Sequence, residues 1–136
     1  MYPAEMVAPY AKDLTDHGFK GLTNPTEVEE TVNRQGTVLL VVNSVCGCAA
    51  ANARPAAKLA TQGDKKPDVL ATVFAGFDVQ AVNKAREMML PYPPSSPSMA
   101  LFKDGKLVHM IERHEIEGRS AQMIAESLSG AFAEHC

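Results

Sequence analysis

Thr37-Val38-Leu39-Leu40-Val41-Val42-Asn43-Ser44-Val45-Cys46-Gly47-Cys48 decides the reading of this chain. Residues 37–43 form a continuous apolar run rich in β-branched side chains. Such a run marks a strand covered on both faces, hence one inside an α/β sheet. A short link follows, and then two cysteines separated by one glycine open an Ala-rich stretch to Ala60, helical in composition apart from Pro55. Pro55 lacks a backbone N–H and crowds the preceding turn, so it is expected to kink that helix.

Outward from this unit, residues 68–75 read as a second buried strand, and Asp78 is placed to cap a helix reaching Leu90. Residues 98–103 and 106–112 flank Asp104-Gly105, the two-residue turn that β-hairpins favour. A last helix over 119–134 carries Met123, Ile124, Leu128 and Phe132 at helical spacing. Ahead of the first strand, residues 4–14 suggest a short helix, and Thr26 is placed to cap another that ends before Gly36. The expected architecture is a three-layer α/β/α sandwich of order β-α-β-α-β-β-α around a mixed four-stranded sheet. The proline-rich stretch 91–97 is too short to serve as a linker between domains, so residues 1–136 read as one domain, with 1–36 as a helical extension packed on its core.

Composition narrows the function. The formal net charge is −3 and aromatic residues make up 6% with no Trp, which argues against a broad basic or base-stacking nucleic-acid surface. No apolar run approaches the roughly 20 residues of a membrane span, and the first residues lack the pattern of a secretory signal. The expectation is a cytoplasmic protein.

Three cysteines are too few for a disulfide framework, and in a reducing compartment such thiols are structural, metal-binding or redox-active. Cys46 sits where a strand hands over to a helix, and the unpaired N–H groups and dipole of a helix start favour a thiolate. Cys48, inside the first turn, is expected to be more buried and less ionised. The pattern suits an attacking Cys46 and a resolving Cys48. Residues two apart on a regular helix diverge, so ring closure requires Cys46 outside the helix, with backbone latitude from Gly47. A strained ring favours isomerase, oxidant or mixed-disulfide chemistry over strong reduction. Two other readings stand beside this one: a redox-inactive binding module, and a metal- or cluster-carrying dimer with ligands from both cysteine pairs. The one-residue spacing and the lack of a second ligand pair among His17, His109, His114 and His135 speak against metal. Arg54 and Lys58 read as a solvated helix face able to attract an anionic thiol. No cofactor is called for.

The strand–Cys46-Gly47-Cys48–helix unit, with Pro55 in the helix, resembles the active-site unit of the thioredoxin superfamily. So does Ser96-Pro97-Ser98-Met99-Ala100-Leu101-Phe102-Lys103-Asp104-Gly105, which resembles that fold's cis-proline and the strand after it. A narrower resemblance is to the bacilliredoxins, thioredoxin-like proteins with Cys-Gly-Cys at the active site. It rests on Met1-Tyr2-Pro3, Val42 through Ala49, Pro91-Tyr92-Pro93-Pro94-Ser95-Ser96-Pro97-Ser98 and the terminal Cys136. The resemblance implies reduction of mixed disulfides between proteins and bacillithiol, and associates disulfide isomerase activity with this variant. It implies Cys46 as nucleophile and Cys48 as resolving thiol. It also implies a cis Pro97 facing them, with the Ser96 backbone and Gly47 against an extended substrate. Disulfide-bonded or bacillithiolated proteins and a low-molecular-weight thiol would be the partners, another thiol serving where bacillithiol is absent. Cys136 is a candidate accessory thiol.

Overall fold

The computed structural model describes residues 1–136. In chain order the elements are α1 (Ala4–Thr15), β1 (Lys20–Gly21), α2 (Pro25–Val32), β2 (Thr37–Asn43), a π-helical turn (Ala49–Ala53), and α3 (Arg54–Ala60). Then come β3 (Val69–Phe74), α4 (Val79–Met88), β4 (Ser98–Lys103), β5 (Lys106–Ile111), α5 (Arg113–Ile116) and α6 (Ala121–His135).

Every residue of β2 is buried, as its unbroken apolar run demands. It lies mid-sheet, parallel to β3 and antiparallel to β4, in the order β1-β3-β2-β4-β5. The alternation of side chains along a strand splits the core in two. Leu39 and Val41 join Met99 and Leu101 beneath Leu14 of α1, Ala56 and Ala57 of α3, and Leu128 and Phe132 of α6. Val38, Leu40 and Val42 join Ala71 and Val73 beneath Val28 and Val32 of α2 and Ala81, Val82 and Ala85 of α4. The result is the expected three-layer sandwich.

The sheet has five strands rather than four. The added one is β1, where Lys20 and Gly21 pair in parallel with Ala71 and Thr72 of β3. Residues 1–36 thus contribute an edge strand as well as helices. Asn24, not Thr26, caps α2: its side chain accepts from Glu27 N–H at 2.9 Å, and Pro25 occupies the first turn, where a missing N–H costs nothing. Asp78 turns backward, accepting from Phe74 N–H at 3.2 Å instead of capping α4. Met123 is 53% exposed, off the buried stripe of α6.

Asp104 and Gly105 have φ of 51° and 81°, the pair of positive values that a type I′ hairpin turn requires. The Ser96–Pro97 bond is cis, and so is Leu90–Pro91. The β2–β4 register pairs Val42 with Ser98, which sets the Ser96–Pro97 bend beside the end of β2, where the cysteine link begins.

Leu39 is fully buried in the central strand. Leu39→Ala is expected to cost about 2–5 kcal/mol in urea unfolding, the usual range for a buried Leu truncation; a loss under about 1 kcal/mol would contradict its central place.

Candidate active site

The site is built on the end of β2. Asn43, 1% exposed, closes the strand. Its amide donates to the Tyr10 carbonyl at 3.0 Å, and its Oδ1 accepts from Ser44 N–H at 2.9 Å and from Arg54 Nη1 at 3.0 Å. Arg54 also donates to the Ser44 carbonyl at 3.0 Å and to Asp13 Oδ2 at 3.1 Å, with its guanidinium 4.9 Å from the centre of the Tyr10 ring. Lys58 donates to the other oxygen of Asp13 at 2.7 Å. Arg54 is therefore no solvated residue awaiting an anion. It is 4% exposed and ties α1 and α3 to the link that carries Cys46.

The turn before Arg54 explains how it reaches inward. Arg54 N–H bonds back to the Ala49 carbonyl, a π-helical closure just ahead of Pro55. One extra residue in that turn rotates the rest of the helix by about 100° relative to a continuous α-helix. The kink expected from Pro55 takes this form.

Cys46 precedes the helical turn, and its carbonyl accepts from Ala49 and Ala50 N–H at 3.1 and 3.3 Å. Its own N–H donates to Ser44 Oγ at 3.1 Å. Cys46 and Cys48 are both free and half-buried, with sulfurs 2.7 Å apart. Their ionisation is driven in opposite directions. Burial works to raise the Cys46 thiol, but hydrogen bonds from the Cys48 thiol, the Ser44 hydroxyl and the Ala49 and Cys48 N–H groups outweigh it and hold Cys46 below its ordinary value. Cys48 is pushed up by burial and by donating to, and sharing negative charge with, Cys46, against a weaker pull from Arg113. Cys48 also packs against the core cluster of β2, α3 and α6.

A cleft of about 250 Å³ opens beside Cys46. Ser44, Ser96, Tyr2, Arg86 and Arg113 line it with Cys46. Tyr2 reaches it because its N–H donates to the Gly76 carbonyl at 2.9 Å and its ring fills the space where a Cβ on Gly76 would stand, at a residue whose φ of +81° also favours glycine. Arg113 Nη1 donates to the Ser96 carbonyl at 3.2 Å, and Arg113 N–H to Ser95 Oγ at 3.3 Å, bracing the bend at Pro97. The Ser96 carbonyl is thereby occupied, while its N–H donates to no protein acceptor.

Of the residues singled out from the sequence, Cys46 and Ser96 share this cleft, and buried Pro97 adjoins Ser96. Gly47 is exposed, with open space where a Cβ would stand. Cys136 is an exposed free thiol at the end of α6, outside the cleft. Glu112, His114 and Glu115 cluster within 4.8 Å, but both carboxylates are engaged in capping α5, and neither Cys46 nor Cys48 belongs to the group. Arg86 and Arg113 carry no local motif pointing to a site, while Tyr2 and Ser44 lie within the stretches on which the family resemblance rests.

The chain was compared with known proteins. A family model described as Disulphide isomerase matches residues 2–136. The sequence is 55% identical over 134 residues to a bacilliredoxin of Cytophaga hutchinsonii, covering 98% of this chain and 99% of that protein. It is 52% identical over 136 residues to a bacilliredoxin of Halalkalibacterium halodurans, covering 99% and 94%. Among solved structures, the oxidized form of mitochondrial thioredoxin 3 from Saccharomyces cerevisiae superposes with a TM-score of 0.60 at 19% identity, over 90% of this chain and 98% of that one. Fasciola hepatica thioredoxin gives 0.58 at 16% identity, over 87% and 100%. The fold is that of thioredoxin.

Two outcomes are expected from the site's electrostatics. Cys48→Ala removes a donor to the Cys46 sulfur, so the Cys46 pKa, read from ultraviolet thiolate absorbance, is expected to rise; an unchanged or lower value would contradict the shared hydrogen bond. Burial raises the Asp13 carboxyl, but Lys58 and Arg54 outweigh it and hold it below its usual value. Asp13 therefore stabilises the fold above the ordinary carboxylate range and loses that contribution as pH falls through its lowered value. Asp13→Asn is expected to cost about 2 kcal/mol at neutral pH, since it strips a buried arginine of its counter-charge. The gap from the parent protein, measured by urea unfolding, should narrow on acidification.

Proposed function

This chain belongs to the bacilliredoxin family and matches the family model described as Disulphide isomerase, and from that footing we propose that it clears mixed disulfides between proteins and a low-molecular-weight thiol, bacillithiol in hosts that make it. Family and fold support a thiol–disulfide oxidoreductase role at the coarser level. The observation that carries the finer reading is the opposed ionisation of two sulfurs 2.7 Å apart, one beside an open cleft and one packed on the core.

The Cys46 thiolate attacks the small-thiol sulfur of the mixed disulfide. That S–S bond breaks, the client leaves as its thiol, and the small thiol is held on Cys46. Cys48 gives up its proton and attacks Cys46, expelling the small thiol and closing a Cys46–Cys48 disulfide. Two further thiol molecules restart the cycle: the first opens that bond by forming a mixed disulfide with one cysteine, and the second attacks the mixed disulfide, leaves with its partner as a small disulfide and returns both cysteines to thiols. The raised Cys48 keeps the resolving sulfur protonated until its neighbour has lost its charge, because the Cys46 anion that opposes its ionisation is consumed in the first step. The free Ser96 N–H beside Pro97 is suited to pair with an extended substrate backbone, and the exposed Gly47 next to Cys46 leaves room for one. The same attack on a protein disulfide yields isomerisation when the client's own thiol, rather than Cys48, resolves the intermediate. A reducing cytoplasm suits such a cycle.

The direct test uses a bacillithiolated model protein and intact-mass detection. In a background carrying Cys136→Ser, which removes the exposed terminal thiol, Cys48→Ser should accumulate the thiol as an adduct on Cys46, and Cys46→Ser should take up none. No transfer to Cys48→Ser, where a known exchanger works, would sink the reading and leave a binding module.

A further inference from the structure

Apart from the Cys46 thiolate, the charged groups lining the cleft are cations, and one of them is unpaired. Arg113 is engaged with the Ser96 carbonyl and, at 3.3 Å, with Glu117. Arg86, on the face of α4 that meets the cleft, forms no side-chain hydrogen bond and no ion pair, and its Nε is buried without a partner. A buried guanidinium N–H without a protein acceptor is costly, and native structures complete such a group with ordered water or a ligand. The cleft is too small for a folded client: at about 30 Å³ per water, about 250 Å³ admits a small polar fragment next to Cys46.

We propose that Arg86, seconded by Arg113, receives a carboxylate on the low-molecular-weight thiol while that thiol is bonded to Cys46, so that the cleft selects anionic small thiols over neutral or cationic ones. This rests on the exchange reading above and specifies its substrate class. Guanidinium and carboxylate make charge-assisted, often paired hydrogen bonds, and a partly desolvated site strengthens them. The molecule as a whole carries a formal charge of −3, which repels anions at long range. Any preference for an anion must therefore arise locally.

The probes are three symmetrical disulfides: dithiodipropionate, bis(2-hydroxyethyl) disulfide and cystamine, which are dianionic, neutral and dicationic. Each reacts with the reduced Cys48→Ser protein carrying Cys136→Ser as well, so that Cys46 is the one thiol left to form an adduct. The Cys46 thiolate takes one half, the S–S bond breaks, and the other half leaves as thiolate, so adduct mass gives the rate. The quantity read is the dianion-to-neutral rate ratio compared between variants, in which the intrinsic reactivity of each disulfide cancels. Adding Arg86→Gln should lower that ratio about tenfold, a normal size for one charge-assisted contact. Arg86→Lys should retain most of it, and salt should erode it in the parent but hardly in the Gln variant. A ratio unchanged by Arg86→Gln would overturn the inference. So would equal slowing with all three probes together with a raised Cys46 pKa, which would make Arg86 a tuner of the thiolate. Adduct formation with none of the probes would instead overturn the exchange reading, and this inference with it.

Discussion

The active end of this molecule depends on one buried cation. Taking a guanidinium out of water costs several kcal/mol unless a counter-charge and acceptors replace the lost hydration. Arg54 meets that demand with Asp13, Asn43 and the Ser44 carbonyl. These partners come from α1, the end of β2 and the link to Cys46, so satisfying the charge leaves little freedom in how they meet. The π-helical turn ahead of Pro55 lets Arg54 sit there while the rest of α3 keeps its alanines against Leu39 and Val41. Helix packing and cysteine placement thus answer to the same side chain.

Upon that base, the proposed exchange asks different things of the two cysteines. A good attacking sulfur must be ionised, and a good resolving sulfur must wait. Hydrogen bonds from Ser44, from the first-turn N–H groups and from Cys48 make Cys46 the acidic one, and the resulting charge makes its neighbour the reluctant one. The asymmetry is positional. Cys46 precedes the helix and faces open space, while Cys48 lies within the first turn and leans on the core.

What could be read from the sequence tracked the range of the forces involved. The strand over 37–43, the Asp104-Gly105 hairpin and the Cys-Gly-Cys junction declare themselves because burial pattern, positive-φ turn chemistry and helix start are local properties. The edge strand at Lys20–Gly21 is two residues long, with no period to detect, and exists only because β3 offers an unpaired edge. Asn24 outcompetes Thr26 as a cap because Pro25 fixes where the helix begins. Arg54 looks like a surface cation in any window of sequence, since the carboxylate that draws it inward is 41 residues away. Arg86 carries no local sign of the cleft, which forms only when the N-terminal segment folds across the β3–α4 loop.

The central proposal is that the fold makes Cys46, rather than Cys48, the ionised nucleophile. It is tested most directly by following the first turnover of the intact reduced protein with a neutral small disulfide across pH, beside an independent titration of the Cys46 thiolate. The account predicts that the rate rises through the Cys46 pKa, below the ordinary thiol range. A rate that tracks a less acidic thiol, or that survives Cys46→Ser, would contradict it.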